Sequence, residues 1–463
     1  MDRNKKAIKE IKEKHKKKII IYGAPCHMLT GNGKLVYNMA KAFQEGGHQV
    51  YTIGIEYNKL QIWHDNIPIM PSFHCERCGN AYKGSSESVQ KIADYINGLK
   101  PDFFICVGDP YQMQQFGIGN LDFSKIKTKA IMYATIDSIG VFTNKVLSMS
   151  GKRDYLELCD KVISTAKFTK NQIEEWTNIN SEVIYETINL DNYFPVDEKT
   201  KKVLKKRYRF KENDFVMYYA GRNIIRKRHN ILLDACAKFL CETKDTYLYL
   251  NIPPSVAQDG SAYYPDVLNP IDFVKRVLKK KYGRDLAEEG RILFVGRGGL
   301  GSTSINEQQN AELYRLSDLY VTACANEGFG LTPVESLACG VPAVIPIGTT
   351  GKEIIGYTAD SNTGGNYEYG MGGLLTECPN TQWVEYGLKQ ELTNAGAIYD
   401  AIKTMYKKPE LRKELGIEGR KYVEKMFNFE DFKNKWLKVI QTTEKKPKEE
   451  FKSLEIKTEE QKK

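Results

Sequence analysis

No stretch of the chain approaches the roughly 18 uninterrupted apolar residues of a membrane span, so no transmembrane segment is expected. The N-terminus is a Lys-rich run rather than a secretory signal, and a cytoplasmic location is the reading that follows. Ten cysteines spread through 463 residues, from Cys26 to Cys378, do not make a disulfide framework and fit reduced, buried thiols. No short internal repeat is present. What the chain does have is core-forming material: 41% hydrophobic and 11% aromatic residues against 27% charged exclude a wholly disordered polypeptide. The length suits three domains of about 150 residues or two larger α/β domains.

The formal charge is +10, and residues 1–20 alone carry nine Lys and Arg against three acids. This tail is either a solvated lead-in to the first strand or an attraction for nucleic acid or anionic lipid, which would make the protein peripheral at a membrane. Residues 444–463 hold seven Lys and six Glu with few apolar side chains and read as a frayed or disordered tail.

Between these ends the hydrophobic pattern alternates strands and helices. Residues 18–22 (KIIIY) form a continuous apolar run of the sort buried in a parallel sheet, residues 33–46 a helix, and residues 49–55 a second strand. Further strands are expected at 102–107, 130–134, 160–164 and 183–185. After a basic, strand-poor stretch at 197–212 the order restarts, with strands at 215–220, 247–251, 292–295 and 319–323 and helices at 230–243 and 311–317. Two doubly wound α/β domains facing a cleft are predicted, with ligands at the carboxyl ends of the strands.

Two segments carry the chemistry. Residues 327–342 (EGFGLTPVESLACGVP) place a glycine loop before a helix, with Thr332 as expected N-cap, Pro333 at the first helical position, Glu335 closing a capping box and Gly340 ending the helix. Free amides at such a helix start suit phosphate. Glu327 and Glu335 suit sugar hydroxyls, though a capping box by itself could account for Glu335. The second segment, residues 220–229 (AGRNIIRKRH), follows a strand and puts Arg222, Arg226, Lys227 and Arg228 where a diphosphate could be held. Weaker signals are His74, Cys75 and Cys78, one C-x2-C without a second pair and more simply structural, and Gly31-Asn32-Gly33 with Glu56 downstream, where Val36 stands in place of a dinucleotide fingerprint's third glycine.

The spacing Glu327…Glu335 within EGFGLTPVE, with Gly221-Arg222…Lys227, resembles the retaining, nucleotide-sugar-dependent glycosyltransferases of the two-Rossmann GT-B fold, glycosyltransferase family 4 and relatives. Residues 31–33, 133–137, 160–164 and 188–191 fall in that family's order, so the resemblance runs from about residue 18 to 441. It implies an N-terminal acceptor domain at 1–195, a nucleotide-sugar domain at 196–428, a helix at 429–443 that crosses back onto the first domain, and a tail at 444–463. Arg222 and Lys227 would hold the donor diphosphate with Gly221 and the amides of Gly330 and Leu331. Glu335 would bind the ribose, and Glu327 the transferring sugar, in a pocket shaped by Phe329. Gly31, Asn32 and Gly33 would close onto the phosphates, and Arg297 and Gly298 would seat the base. The family's His-Asp pair is represented by Ile136-Asp137, leaving Asp137 to position the acceptor or, in an inverting enzyme, to act as base.

The chain has no Asp-x-Asp pair, with which transferases that use a metal typically hold it, so transfer without metal or other cofactor is expected. The expected partners are a nucleotide-diphosphate sugar and an unassigned acceptor: glycan, lipid-linked sugar, protein or modified nucleic acid. A nucleotide-sugar epimerase or hydrolase of the same build, and a non-catalytic sugar-nucleotide- or nucleic-acid-binding protein, are the alternatives. Acceptor choice is expected in the loops at 64–86 and 111–120.

Overall fold

A computed structural model of the chain describes residues 16–28, 30–55, 57, 60–72, 86–121, 123, 126–140, 155–252, 269–295, 305–357, 366–384 and 388–446. Its first sheet holds β1 (Lys18–Gly23), β2 (Gln49–Gly54), β3 (Ile62–His64), β4 (Ile67–Pro71), β5 (Phe103–Gly108), β6 (Lys129–Ala134), β7 (Lys161–Ser164) and β8 (Glu182–Val183). The spatial order is β3-β4-β2-β1-β5-β6-β7-β8, parallel except for β3. The apolar runs read as strands are its centre: Ile19, Ile20 and Ile21 of β1 and Phe103 to Val107 of β5 are buried on both faces, as a parallel sheet covered by helices requires.

The second sheet holds β9 (Phe215–Ala220), β10 (Thr246–Asn251), β11 (Ile292–Phe294), β12 (Leu319–Val321), β13 (Ala343–Pro346), β14 (Tyr367–Gly370) and β15 (Gly373–Thr376). Its order is β11-β10-β9-β12-β13-β15-β14, antiparallel only at β14. In both sheets the strand order reverses beside the first strand, between β1 and β5 and between β9 and β12, and a doubly wound sheet opens a crevice at that point. A separate ribbon, β16 (Asn380–Trp383) with β17 (Lys389–Leu392), reaches the first half, where Ile139 and Lys389 exchange backbone hydrogen bonds.

Seven helices position the site: α1 (Gly31–Glu45), α2 (Lys167–Thr177), α3 (His229–Glu242), α4 (Glu307–Leu316), α5 (Leu331–Ala338), α6 (Pro409–Met426) and α7 (Phe429–Thr442). Helix α7 leaves the second half and packs on α1, with Trp436 buried edge-on against Phe43 and Tyr133. The basic, strand-poor stretch contains a helix, Glu198–Arg207, capped by Asp197. Among the described residues no helix is long and apolar enough to cross a membrane.

Candidate functional site

The loops after β9 and β12 meet at the second sheet's reversal point, tied by the Ala325 amide donating to the Arg226 carbonyl at 2.8 Å. There Glu327 is clamped by two cations: Lys227 donates to Oε1, and Arg226 Nη1 donates to Oε2 at 3.0 Å. Arg226 Nε also pairs with Asp137 Oδ2 at 3.0 Å, so an ionic chain crosses from the second half to the end of β6. Burial works to raise the Glu327 carboxyl, but the Lys227 and Arg226 charges outweigh it and hold its pKa at about 2. Arg228 starts α3 in a left-handed conformation (φ 50°). Beside it the His229 ring is neutral, its pKa driven to about 3 by burial and by Lys227.

The glycine segment is held from behind. Thr349 Oγ1 donates to the Glu327 carbonyl at 3.1 Å, and Thr350 Oγ1 to the Phe329 carbonyl at 2.8 Å. Helix α5 begins at Leu331, one residue before the expected cap, because Gly330 takes φ 102° and serves as the N-cap without a side-chain bond. Thr332 therefore lies inside the helix, and its hydroxyl accepts from the Tyr320 hydroxyl at 2.8 Å. The capping box does not form. Glu335, fully buried, instead accepts from Lys34 Nζ at 2.6 Å, Tyr314 Oη at 3.0 Å and Asn310 Nδ2 at 3.2 Å. The Phe329 ring, expected to shape the sugar pocket, is packed away against Phe427 and Tyr185.

Gly31, Asn32 and Gly33 form the first turn of α1, capped by Thr30, whose hydroxyl accepts from the Gly33 amide at 3.2 Å. This turn meets the start of α5, with Gly31 facing the Leu331 side chain. The amides of Gly31, Asn32, Gly330 and Leu331 have no acceptor among the described residues, so two helix starts present free donors to one crevice. Arg222 is exposed, and its guanidinium makes no ion pair or hydrogen bond among the described residues, which leaves it open to an anion. The Gly221 amide, by contrast, is used, donating to the Asn251 carbonyl at 3.1 Å. Arg297 and Gly298 lie outside the described residues, as do His74, Cys75 and Cys78 and the basic residues 1–15. Eight free cysteines are described; Cys26 is buried, with its thiol pushed up to about 11 by burial.

Arg226 is named from sequence only as one of four cations in its loop, and its pairing with both Asp137 and Glu327 is what sets it apart. Two buried carboxylates carry too little pattern to be named at all. Asp109, following β5, accepts from the Tyr111 amide at 2.8 Å, and burial and the Asp137 charge push its pKa up to about 7. Glu186, buried on the chain leaving β8, is pushed up to about 8 by burial and by Glu327. A carboxylate following a strand was the available signal for Asp109. Glu186 has none, since the Glu327 charge that acts on it comes from the second half of the chain.

Comparison with known proteins gives consistent findings. The family model described as "Glycosyl transferases group 1" matches residues 302–358, the segment containing Glu327 and Glu335. The mannosylfructose-phosphate synthase of Agrobacterium fabrum is 23% identical over 157 residues, 34% of this chain and 30% of that protein. The match spans less than half the length of the curated relatives. Among solved structures, the sucrose-phosphate synthase of Thermosynechococcus elongatus superposes with a TM-score of 0.67 at 16% identity, covering 92% of this chain and 98% of that one. HepE of Anabaena, in complex with UDP and glucose, superposes with a TM-score of 0.62 at 13% identity, covering 92% and 100%. The architecture of two Rossmann-like sheets is thus that of GT-B glycosyltransferases.

Proposed function

We propose that the chain, which carries the group 1 glycosyltransferase segment at 302–358, transfers a hexose from a nucleotide-diphosphate sugar to an acceptor hydroxyl, with retention of configuration and without a metal ion. The observation that carries this reading is the ionic cluster of Lys227, Arg226 and Glu327 at the crevice of the second sheet, facing Asp137 across the cleft. Cleaving a glycosyl phosphate builds negative charge on the leaving oxygen and positive charge on the sugar ring. Glu327, ionised at any working pH, supplies the anion for the ring. Arg222, Lys227 and the free amides of Gly330 and Leu331 supply the positive field for the leaving diphosphate, the task a metal would otherwise perform. Lys227 is already neutralised by Glu327, so an arriving phosphate gives it a second anionic partner rather than requiring a bare buried charge. In a same-face displacement the leaving phosphate takes the acceptor proton, and no protein base is needed. Asp137, fixed by Arg226, then orients the acceptor.

The test is a thermal-shift panel of UDP-, GDP-, ADP- and dTDP-sugars on wild type and Arg226→Ala, followed by turnover with and without EDTA. Stabilisation by one donor, turnover at least about a hundredfold lower in the variant, and full activity in EDTA are expected. Stabilisation by none of them overturns the transferase reading. Activity abolished by EDTA and restored by Mn²⁺ overturns the metal-free mechanism.

A further inference from the structure

The Glu335 carboxylate, the expected seat of the donor ribose, is already occupied by a residue from the other half of the chain. Lys34, in the first turns of α1, spends all three of its ammonium protons in one place. It reaches Glu335 Oε1 at 2.6 Å, Glu307 Oε1 at 3.0 Å and the Tyr193 hydroxyl at 3.0 Å. The Tyr193 ring lies beneath it, 5.2 Å from ring centre to nitrogen. Burial disfavours this ammonium, and the Glu335 and Glu307 carboxylates more than offset that, so it is held charged.

A carboxylate offers about four acceptor positions. Glu335 already receives three donors, from Lys34, Tyr314 and Asn310. A ribose diol brings two more, so at least one existing donor must leave. Tyr314 is fully buried, and the Asn310 carbonyl is pinned by the Tyr218 hydroxyl at 2.7 Å. Lys34 is partly exposed, stands on the opposite half, and keeps Glu307 and Tyr193 as acceptors when it lets go. It is the donor that can move at least cost.

We infer that Lys34 is a plug over the ribose seat: it closes Glu335 in the donor-free chain and is displaced when the nucleotide enters. This rests on the donor-binding reading above. It adds a coupling, because Lys34 directly follows Gly31-Asn32-Gly33, so the side chain displaced from Glu335 stands on the same helix turn whose amides face the crevice. A nucleotide must therefore pay for the displacement, and its apparent affinity is reduced by the fraction of chains in which the seat is closed.

The experiment is calorimetric titration of the full chain with UDP, GDP and ADP, for wild type, Lys34→Met and, should that variant fold poorly, Lys34→Gln, with thermal melts in parallel. The variants are expected to bind the preferred nucleotide about tenfold more tightly while melting at a lower temperature without ligand. A purely structural lysine would lower both affinity and melting temperature. If wild type binds a nucleotide and the variants bind it equally or more weakly, the plug is wrong and the donor reading stands. If no protein binds any of the three, the donor reading fails and the plug with it.

Discussion

Asp109 lies directly after β5 with one carboxyl oxygen bound by the Tyr111 amide and the negative Asp137 nearby. Burial and that neighbour raise its pKa from an ordinary 3.8 to about 7, so the folded chain holds this proton more tightly than the unfolded one. Stability contributed by the protonated group is therefore complete below about pH 4 and is lost as pH rises towards 7. Asp109→Asn imitates the protonated form. It should melt with wild type at pH 4 and several degrees above it at pH 8, the scale of roughly 2 kcal/mol or more. A melting difference that stays flat from pH 4 to 8 would contradict the assignment. The same electrostatics separates Arg226 from Arg222. In sequence they are two of four cations in one loop, and only the placement of Asp137 and Glu327 around one guanidinium makes Arg226 the bridge.

The glycine segment and α5 show how much of an element is local. That a helix starts after Gly330 and stops near Gly340 is written in Pro333, the glycines and the apolar spacing, and the helix runs Leu331–Ala338 with Gly340 at φ 73°. The cap is different. Thr332 and Glu335 satisfy the capping-box pattern, yet Glu335 is drawn away by Lys34, Asn310 and Tyr314, none of which its own segment contains. Gly328 shows a tertiary requirement of another kind. A Cβ there would fall 2.3 Å from Thr135 Oγ1, on the other half of the chain. Gly328→Ala should hold the halves apart at the crevice, leaving each core intact. We expect turnover to fall at least about tenfold, with Thr135→Ala restoring part of it in the double variant. Independent, additive effects of the two substitutions would show that the contact does not matter.

Across the whole molecule the halves are joined by α7 and by the aromatic cluster of Tyr185, Phe329, Tyr422 and Phe427. The Thr187 hydroxyl and Ile188 amide both donate to the Phe427 carbonyl, at 2.9 and 3.2 Å, where the chain returns. Trp436 fastens that return, fully buried with ring centres 5.8 Å from Phe43 and 4.9 Å from Tyr133. Trp436→Ala should cost about 3–5 kcal/mol, seen as an earlier transition in denaturant. An unchanged midpoint would mean that α7 adds nothing to the first half's stability. Two α/β units, the parallel strands at their centres and the glycine-carboxylate segment were determined by the sequence alone. Each is specified by neighbours a few residues apart, through apolar runs, glycines and helix starts. What only the tertiary structure decided is which charges face each other: Lys34 on Glu335, Arg226 between Asp137 and Glu327, and the raised carboxyls of Asp109 and Glu186. Those partners lie up to 301 residues apart in the chain, and ionic and desolvation energies depend on distance and burial in space, which no local pattern encodes.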